Sequence, residues 1–172
     1  MKPTLFIFAG LPGTGKTTLS KKFSAYFNLP YFRLDTIEHG LRELCSFNVQ
    51  GEGYRLTYRI VEENLALGNS VVVDCCNPIE LTRNEWQEIA IRANSDYLNI
   101  EITCTEKRVH KERVNSRKND IEGFELPLWE EIEKREYHEW NRTRLIIDTS
   151  NNSEDESFQE LKEKVKVLKK DL

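Results

Sequence analysis

The segment Gly10-Leu11-Pro12-Gly13-Thr14-Gly15-Lys16-Thr17 constrains this chain more than any other. It matches G-x-x-x-x-G-K-[ST], a pattern whose glycines let the backbone wrap around phosphates with its N–H groups pointing inward. An apolar run, Leu5–Ala9, lies directly before it and a helical pattern directly after it. The loop therefore joins a buried strand to a helix N-terminus, where the helix dipole adds positive potential at the phosphates. Gly10, Gly13, Thr14, Gly15, Lys16, Thr17 and Thr18 are the expected ATP-binding residues. Lys16 is expected to reach the β- and γ-phosphates, and the Thr17 hydroxyl to ligate Mg2+.

The rest of the chain alternates short β-rich runs with longer helical ones. Strands are expected at Leu5–Ala9, Tyr31–Leu34, Val71–Val73, Tyr97–Cys104 and Leu145–Ile147. Helices are expected at Thr17–Phe27, Thr36–Cys45, Tyr54–Leu67, Thr105–Asn119, Leu128–Trp140 and Ser157–Asp171. Another should begin at Thr82, which with Glu85 forms a capping box. Such alternation implies an α/β fold, a mostly parallel sheet with helices on both faces. Ligands of such sheets bind outside the carboxyl ends of the strands. At 172 residues the chain fits one domain.

Two acids stand at expected strand ends. Asp35 follows the second strand, where a carboxylate can take the proton of an attacking hydroxyl, or can simply cap the next helix. Asp74 follows Val71–Val73, the place of a carboxylate that holds Mg2+ or faces an acceptor. Arg113 and Arg117 lie four apart on one helix face, suited either to clamping a transferring phosphoryl group or to a solvated charged surface. Arg83, in the segment after the third strand, is a candidate acceptor contact or a surface residue at a helix start; Asn77 and Arg42 join it as candidates.

The net charge of -4 argues against bulk nucleic-acid binding, and no apolar run is long enough to span a membrane. The four cysteines, Cys45, Cys75, Cys76 and Cys104, form neither a disulfide framework nor a zinc spacing, and read as reduced, mostly buried thiols of a cytoplasmic protein. A reactive thiol at Cys75 or Cys76 is the alternative. His39, His110 and His138 read as surface or packing residues, and the three tryptophans as core or lid-packing residues.

Taken together, Gly10–Thr18 (GLPGTGKTT), Arg33–Ile37 (RLDTI), Val71–Trp86, Cys104–Ile121 and Pro127–Asp148 resemble a family of small P-loop kinases. Relatives in that family include chloramphenicol phosphotransferase, the zeta-toxin kinases and the kinase domain of phage polynucleotide kinase. The resemblance implies a three-layer P-loop NTPase fold with a five-stranded parallel sheet in the order 2-3-1-4-5. It implies a short helical lid, here about residues 105–128. It implies Asp35 as the base and Arg113 and Arg117 as lid arginines, with Arg108 less secure. The loop Asp148-Thr149-Ser150 falls where such kinases approach the adenine.

One departure stands out. Relatives often carry an arginine three residues after the aspartate, and here that position is Glu38. The expected activity is transfer of the γ-phosphoryl of ATP to a hydroxyl of a small-molecule or nucleotide acceptor, with the acceptor held mainly by 36–53 and 77–83. A nucleotide-dependent switch and a polynucleotide 5′-hydroxyl kinase are the alternatives.

Overall fold

A computed structural model describes residues 2–169. The chain runs β1 (Thr4–Ala9), α1 (Lys16–Phe27), β2 (Tyr31–Arg33), α2 (Leu34–Cys45), α3 (Glu52–Ala66), β3 (Val71–Asp74), α4 (Glu80–Arg92), β4 (Asp96–Thr103), α5 (Lys107–Ser116), α6 (Trp129–Glu133), β5 (Leu145–Asp148) and α7 (Glu154–Leu168). All strand pairs are parallel and the order is β2-β3-β1-β4-β5. This is the expected three-layer P-loop fold.

The central strand shows why the sheet is covered twice. All six residues of β1 are buried. Because side chains alternate across a strand, Leu5 and Ile7 point to one face and Phe6 and Phe8 to the other. Leu5 and Ile7 join Val71, Val73, Tyr58, Val61 and Trp86 beneath α3 and α4. Phe6 and Phe8 pack on Phe23 of α1, with ring centroids 4.9 and 5.5 Å away, and on Ile100, Ile102 and Leu161. Each such buried aliphatic or aromatic side chain contributes roughly 1.5–3 kcal/mol.

Several boundaries differ from the sequence reading, each for a local reason. Helix α4 begins at Glu80 rather than at Thr82. The Thr82 hydroxyl donates back to the Ile79 carbonyl at 3.0 Å, so it makes no capping box. The expected 128–140 helix shortens to α6, and the chain after it is irregular. Helix α7 starts three residues early, because Ser153 and Glu156 form the capping box there. The end of that expected helix at Asp171, and the terminal residues 170–172, lie outside the described residues. Among the described residues no helix is long and apolar enough to cross a membrane.

Candidate functional site

The carboxyl ends of β1, β2, β3 and β5 open onto one cleft of about 1210 Å³. The phosphate loop forms its floor. Gly10, Gly13 and Gly15 have φ of 142°, 86° and 90°, a region open chiefly to glycine. At Gly10 a side chain is also excluded by contact: a Cβ would lie 2.3 Å from the Ile102 carbonyl oxygen. Thr14 braces the turn by donating its hydroxyl to the Leu11 carbonyl at 2.9 Å. Helix α1 begins at Lys16 with no acid in its first turn, so its N–H groups and dipole face the cleft unneutralised.

In this structure the Lys16 ammonium is not free. It makes a buried ion pair with the Asp74 carboxylate. Burial alone would lower the Lys16 pKa, but Asp74, with help from Asp35, outweighs it and holds the value above that of an ordinary lysine. Burial likewise pushes Asp74 up, while Lys16, then hydrogen bonds from Tyr31 and Thr17, bring it below the usual carboxylate range. The Tyr31 hydroxyl donates to Asp74 at 2.6 Å. Lys16 and Asp74 are thus stored charged against each other, and an anionic phosphate competes with Asp74 for the same ammonium.

Mg2+ sites of this kind use few protein oxygens and keep water and phosphate oxygens as the other ligands. Thr17 lines the cleft and Asp74 is paired with the neighbouring Lys16, so a hydroxyl and a carboxylate stand together as a donor set that fits that ion. Among the described residues no cluster of three or more His, Cys, Asp or Glu side chains offers a metal cage.

Asp35 lies in the first turn of α2, not at its cap, and lines the cleft. Among the described residues its nearest cation is Arg33 Nε at 3.7 Å, which leaves the carboxylate without a hydrogen-bonded partner there. Glu38 and Arg42 line the same wall, paired at 3.5 Å, and burial raises the Glu38 pKa. Helix α3 crosses here at Gly53, where a Cβ would sit 2.2 Å from the Glu38 Cγ.

Helix α5 is seated on the phosphate loop. His110 Nε2 bonds the Pro12 carbonyl at 2.8 Å and its ring meets Trp129 edge-on. Arg113 donates to the Thr149 hydroxyl and carbonyl, both at 2.7 Å, and that hydroxyl donates to the Thr14 carbonyl at 2.8 Å. Arg117 lines the cleft and donates to the Pro127 carbonyl at 2.8 Å. Arg108 points away into solvent, where among the described residues its only ionic neighbour is Glu112 at 3.7 Å.

The segment after α5 folds back over the cleft. Asp120 accepts from Lys21 at 2.6 Å and from Arg33 at 2.8 Å. Burial pushes the Asp120 carboxyl up, but these two cations pull it down to about 2. His39 Nε2 bonds the Glu122 carbonyl at 2.8 Å.

Two sequence candidates stand elsewhere. Asn77 is fully buried and does not line the cleft. Arg83, read as an acceptor contact, is 1% exposed. Its guanidinium donates to the carbonyls of Asn77, Pro78, His138 and Glu139 at 3.1, 3.1, 2.8 and 3.0 Å. It stacks on Trp140, 3.9 Å from the ring centroid. Four of its five N–H donors are taken and the side chain is buried outside the cleft, so the expectation for Arg83 does not hold. The wall expected from 77–83 is supplied instead by Cys76 and by residues between Phe124 and Arg135.

Arg135 is the residue that sequence reasoning missed. It sat inside an expected helix as one charge among many, and no local pattern marks it. All four cysteines are free, and burial raises the thiol pKa of both Cys75 and Cys76, which disfavours a reactive thiolate at either.

The sequence model of a family described as "Chromatin associated protein KTI12" matches residues 3–166, and the chain belongs to that family. No curated protein sequence matches it significantly. Among solved structures it is similar to Kti12 of Chaetomium thermophilum in complex with ADP-AlF3, at 19% identity over 92% of this chain and 97% of that one, TM-score 0.66. It is similar to the APS kinase CysC of Mycobacterium tuberculosis in complex with AMPPNP and APS, at 17% identity over 96% and 98%, TM-score 0.67. A gluconokinase from Sinorhizobium meliloti matches at 17% identity over 98% of both chains, TM-score 0.61. These likenesses show that the chain has the same fold.

Proposed function

We propose that this member of the KTI12 family is an ATP-dependent phosphotransferase that moves the γ-phosphoryl group to a hydroxyl acceptor. The observation that carries this reading is Asp35: a carboxylate without a hydrogen-bonded partner, in the same cleft as the phosphate loop and the arginines of α5. In-line phosphoryl transfer needs positioning and charge neutralisation more than covalent chemistry. The loop amides and Lys16 hold the β- and γ-phosphates, Lys16 exchanging Asp74 for phosphate oxygen. Thr17 and Asp74 would hold Mg2+, which supplies charge neutralisation between the phosphates. Asp35 accepts the proton of the attacking hydroxyl. Arg113 and Arg117 take up charge on the transferring group as the 105–128 segment acts as a lid. Thr149 and Asn152 line the cleft and would lie toward the nucleotide base.

The test is transfer of labelled γ-phosphate across a panel of hydroxyl acceptors, with Asp35→Asn as the paired variant. Asp35→Asn should abolish labelling by at least about a hundredfold, the scale of a general base, while leaving AMPPNP affinity within about twofold. ATP hydrolysis with no labelled acceptor on the panel would remove the kinase reading.

A second reading, a nucleotide-dependent switch, draws support from the Asp120 latch, which ties the 117–128 segment to Lys21 and Arg33. It predicts a nucleotide-driven opening of that latch and a partner protein, with water in place of the acceptor hydroxyl. The description of the family as chromatin associated suits a partnered role of this kind.

A further inference from the structure

The arginines around the cleft divide by their partners. Arg33 is paired with Asp120 and Arg42 with Glu38. Among the described residues Arg113, Arg117 and Arg135 make no ion pair within 4.0 Å, yet all three line the cleft. Arg113 is bound to Thr149 on the nucleotide side. The other two line the same cleft as Asp35. Arg117 offers one hydrogen bond to a carbonyl and keeps a buried Nε with no partner. Arg135 makes a single long contact, to the Cys76 Sγ at 4.0 Å.

Two guanidinium groups in one cleft, neither of them ion-paired among the described residues, repel, and an anion bound there removes that repulsion. Burial lowers the Arg117 pKa, Asp35 pulls it up, and the Arg135 charge lowers it again. Arg135 is also held in place. The α6 helix that precedes it packs Trp129 and Ile132 on Val114 of α5. The segment that follows is clamped by the Arg83 bonds to the His138 and Glu139 carbonyls. The backbone on both sides of Arg135 is thus anchored while its side chain reaches the cleft.

We propose that Arg135, with Arg117 in the same cleft, binds an oxyanion of the acceptor in the space that Asp35 also lines, so that the acceptor is an anionic hydroxyl compound. This rests on the phosphoryl-transfer reading. Guanidinium groups match phosphate, sulfate and carboxylate through paired N–H donors, and the three are separated by experiment. Arg83 acts as a positioning residue through the 138–139 backbone.

The test uses the full chain saturated with AMPPNP and Mg2+, which fills the phosphate loop, and titrates sulfate, phosphate and acetate by calorimetry. Sulfate or phosphate should bind the loaded protein, or acetate in their place if the acceptor carries a carboxylate. Arg135→Gln should weaken the bound anion by about tenfold or more, and Arg135→Lys by less, as loss of a charge-assisted pair dictates. AMPPNP affinity is measured on each variant as the fold control. No anion binding to the loaded protein, an unchanged anion affinity in Arg135→Gln, or equal losses of anion and AMPPNP binding would overturn the proposal. Label transfer separates the two readings. Anion binding through Arg135 with no acceptor ever labelled leaves this site standing and removes the kinase reading. Labelled neutral acceptors whose KM ignores Arg135→Gln do the reverse.

Discussion

Arg83→Met separates a structural clamp from a substrate contact. Arg83 is 1% exposed and has no carboxylate within ion-pair distance among the described residues. Burial therefore lowers its pKa, with the nearby charges of Tyr137 and Glu101 opposing. Its stability contribution comes from carbonyls and an aromatic face. The bonds to Asn77 and His138, at 3.1 and 2.8 Å, have a charged donor and contribute about 1.5 kcal/mol each. The bonds to Pro78 and Glu139 are replaceable by water once the segment loosens. The desolvated stack on Trp140 adds about 1 kcal/mol. Methionine keeps part of the packing, so the expected loss is about 3–4 kcal/mol, a large share of a typical 5–15 kcal/mol total. Urea unfolding followed by circular dichroism measures it, with AMPPNP affinity recorded on the folded fraction. The expected outcome is a lower midpoint at unchanged slope. A variant within about 1 kcal/mol of the parent that instead loses acceptor-dependent turnover would refute the clamp and restore Arg83 as an acceptor contact.

Three further outcomes follow from the same geometry. Gly10→Ala puts a methyl 2.3 Å from the Ile102 carbonyl oxygen at a φ of +142°, so it should lower stability by about 3 kcal/mol and abolish AMPPNP binding, seen by thermal melting and calorimetry. Lys16→Met leaves the Asp74 carboxylate buried without its cation and should destabilise the nucleotide-free protein by about 3 kcal/mol; the Lys16→Met/Asp74→Asn double variant should recover part of that, and a double variant no more stable than the single would refute the pairing. The Asp148 carboxyl is pushed up by burial but held at about 2 by the Thr105 and Ser150 hydroxyls and amides. Because its folded pKa lies below the ordinary 3.8, its contribution is complete above that value and lost as pH falls toward 2. Acid unfolding of Asp148→Asn should therefore show a flatter stability profile between pH 4 and 2 than the parent.

The floor of the cleft was legible because it is local. Gly10–Thr17 lie consecutively, and the strand before them and the helix after them are set by an unbroken apolar run and by a 3.6-residue pattern. Asp35 and Asp74 were legible for a related reason: each follows an apolar run, and in a parallel sheet every strand end points to the same edge. Arg113 and Arg117 were identified by spacing and resemblance, and both line the cleft. The boundaries that moved, at Thr82 and at the 128–140 segment, lie where side-chain bonds to backbone compete with helix.

The sequence by itself determined the sheet, its order through the resemblance, and the phosphate loop, since these depend on periodicity and on residues adjacent along the chain. Only the tertiary structure decided which charges are free. Arg83 and Arg135 look equivalent as letters, but one is consumed by four backbone carbonyls and a tryptophan face, and the other stands without an ion-pair partner in the cleft. The partners of Arg83 at 138–140 lie more than fifty residues away, and Cys76 lies 59 residues from Arg135. A charge is neutralised by what packs against it across the fold, so pairing is a property of the folded chain and not of its local pattern.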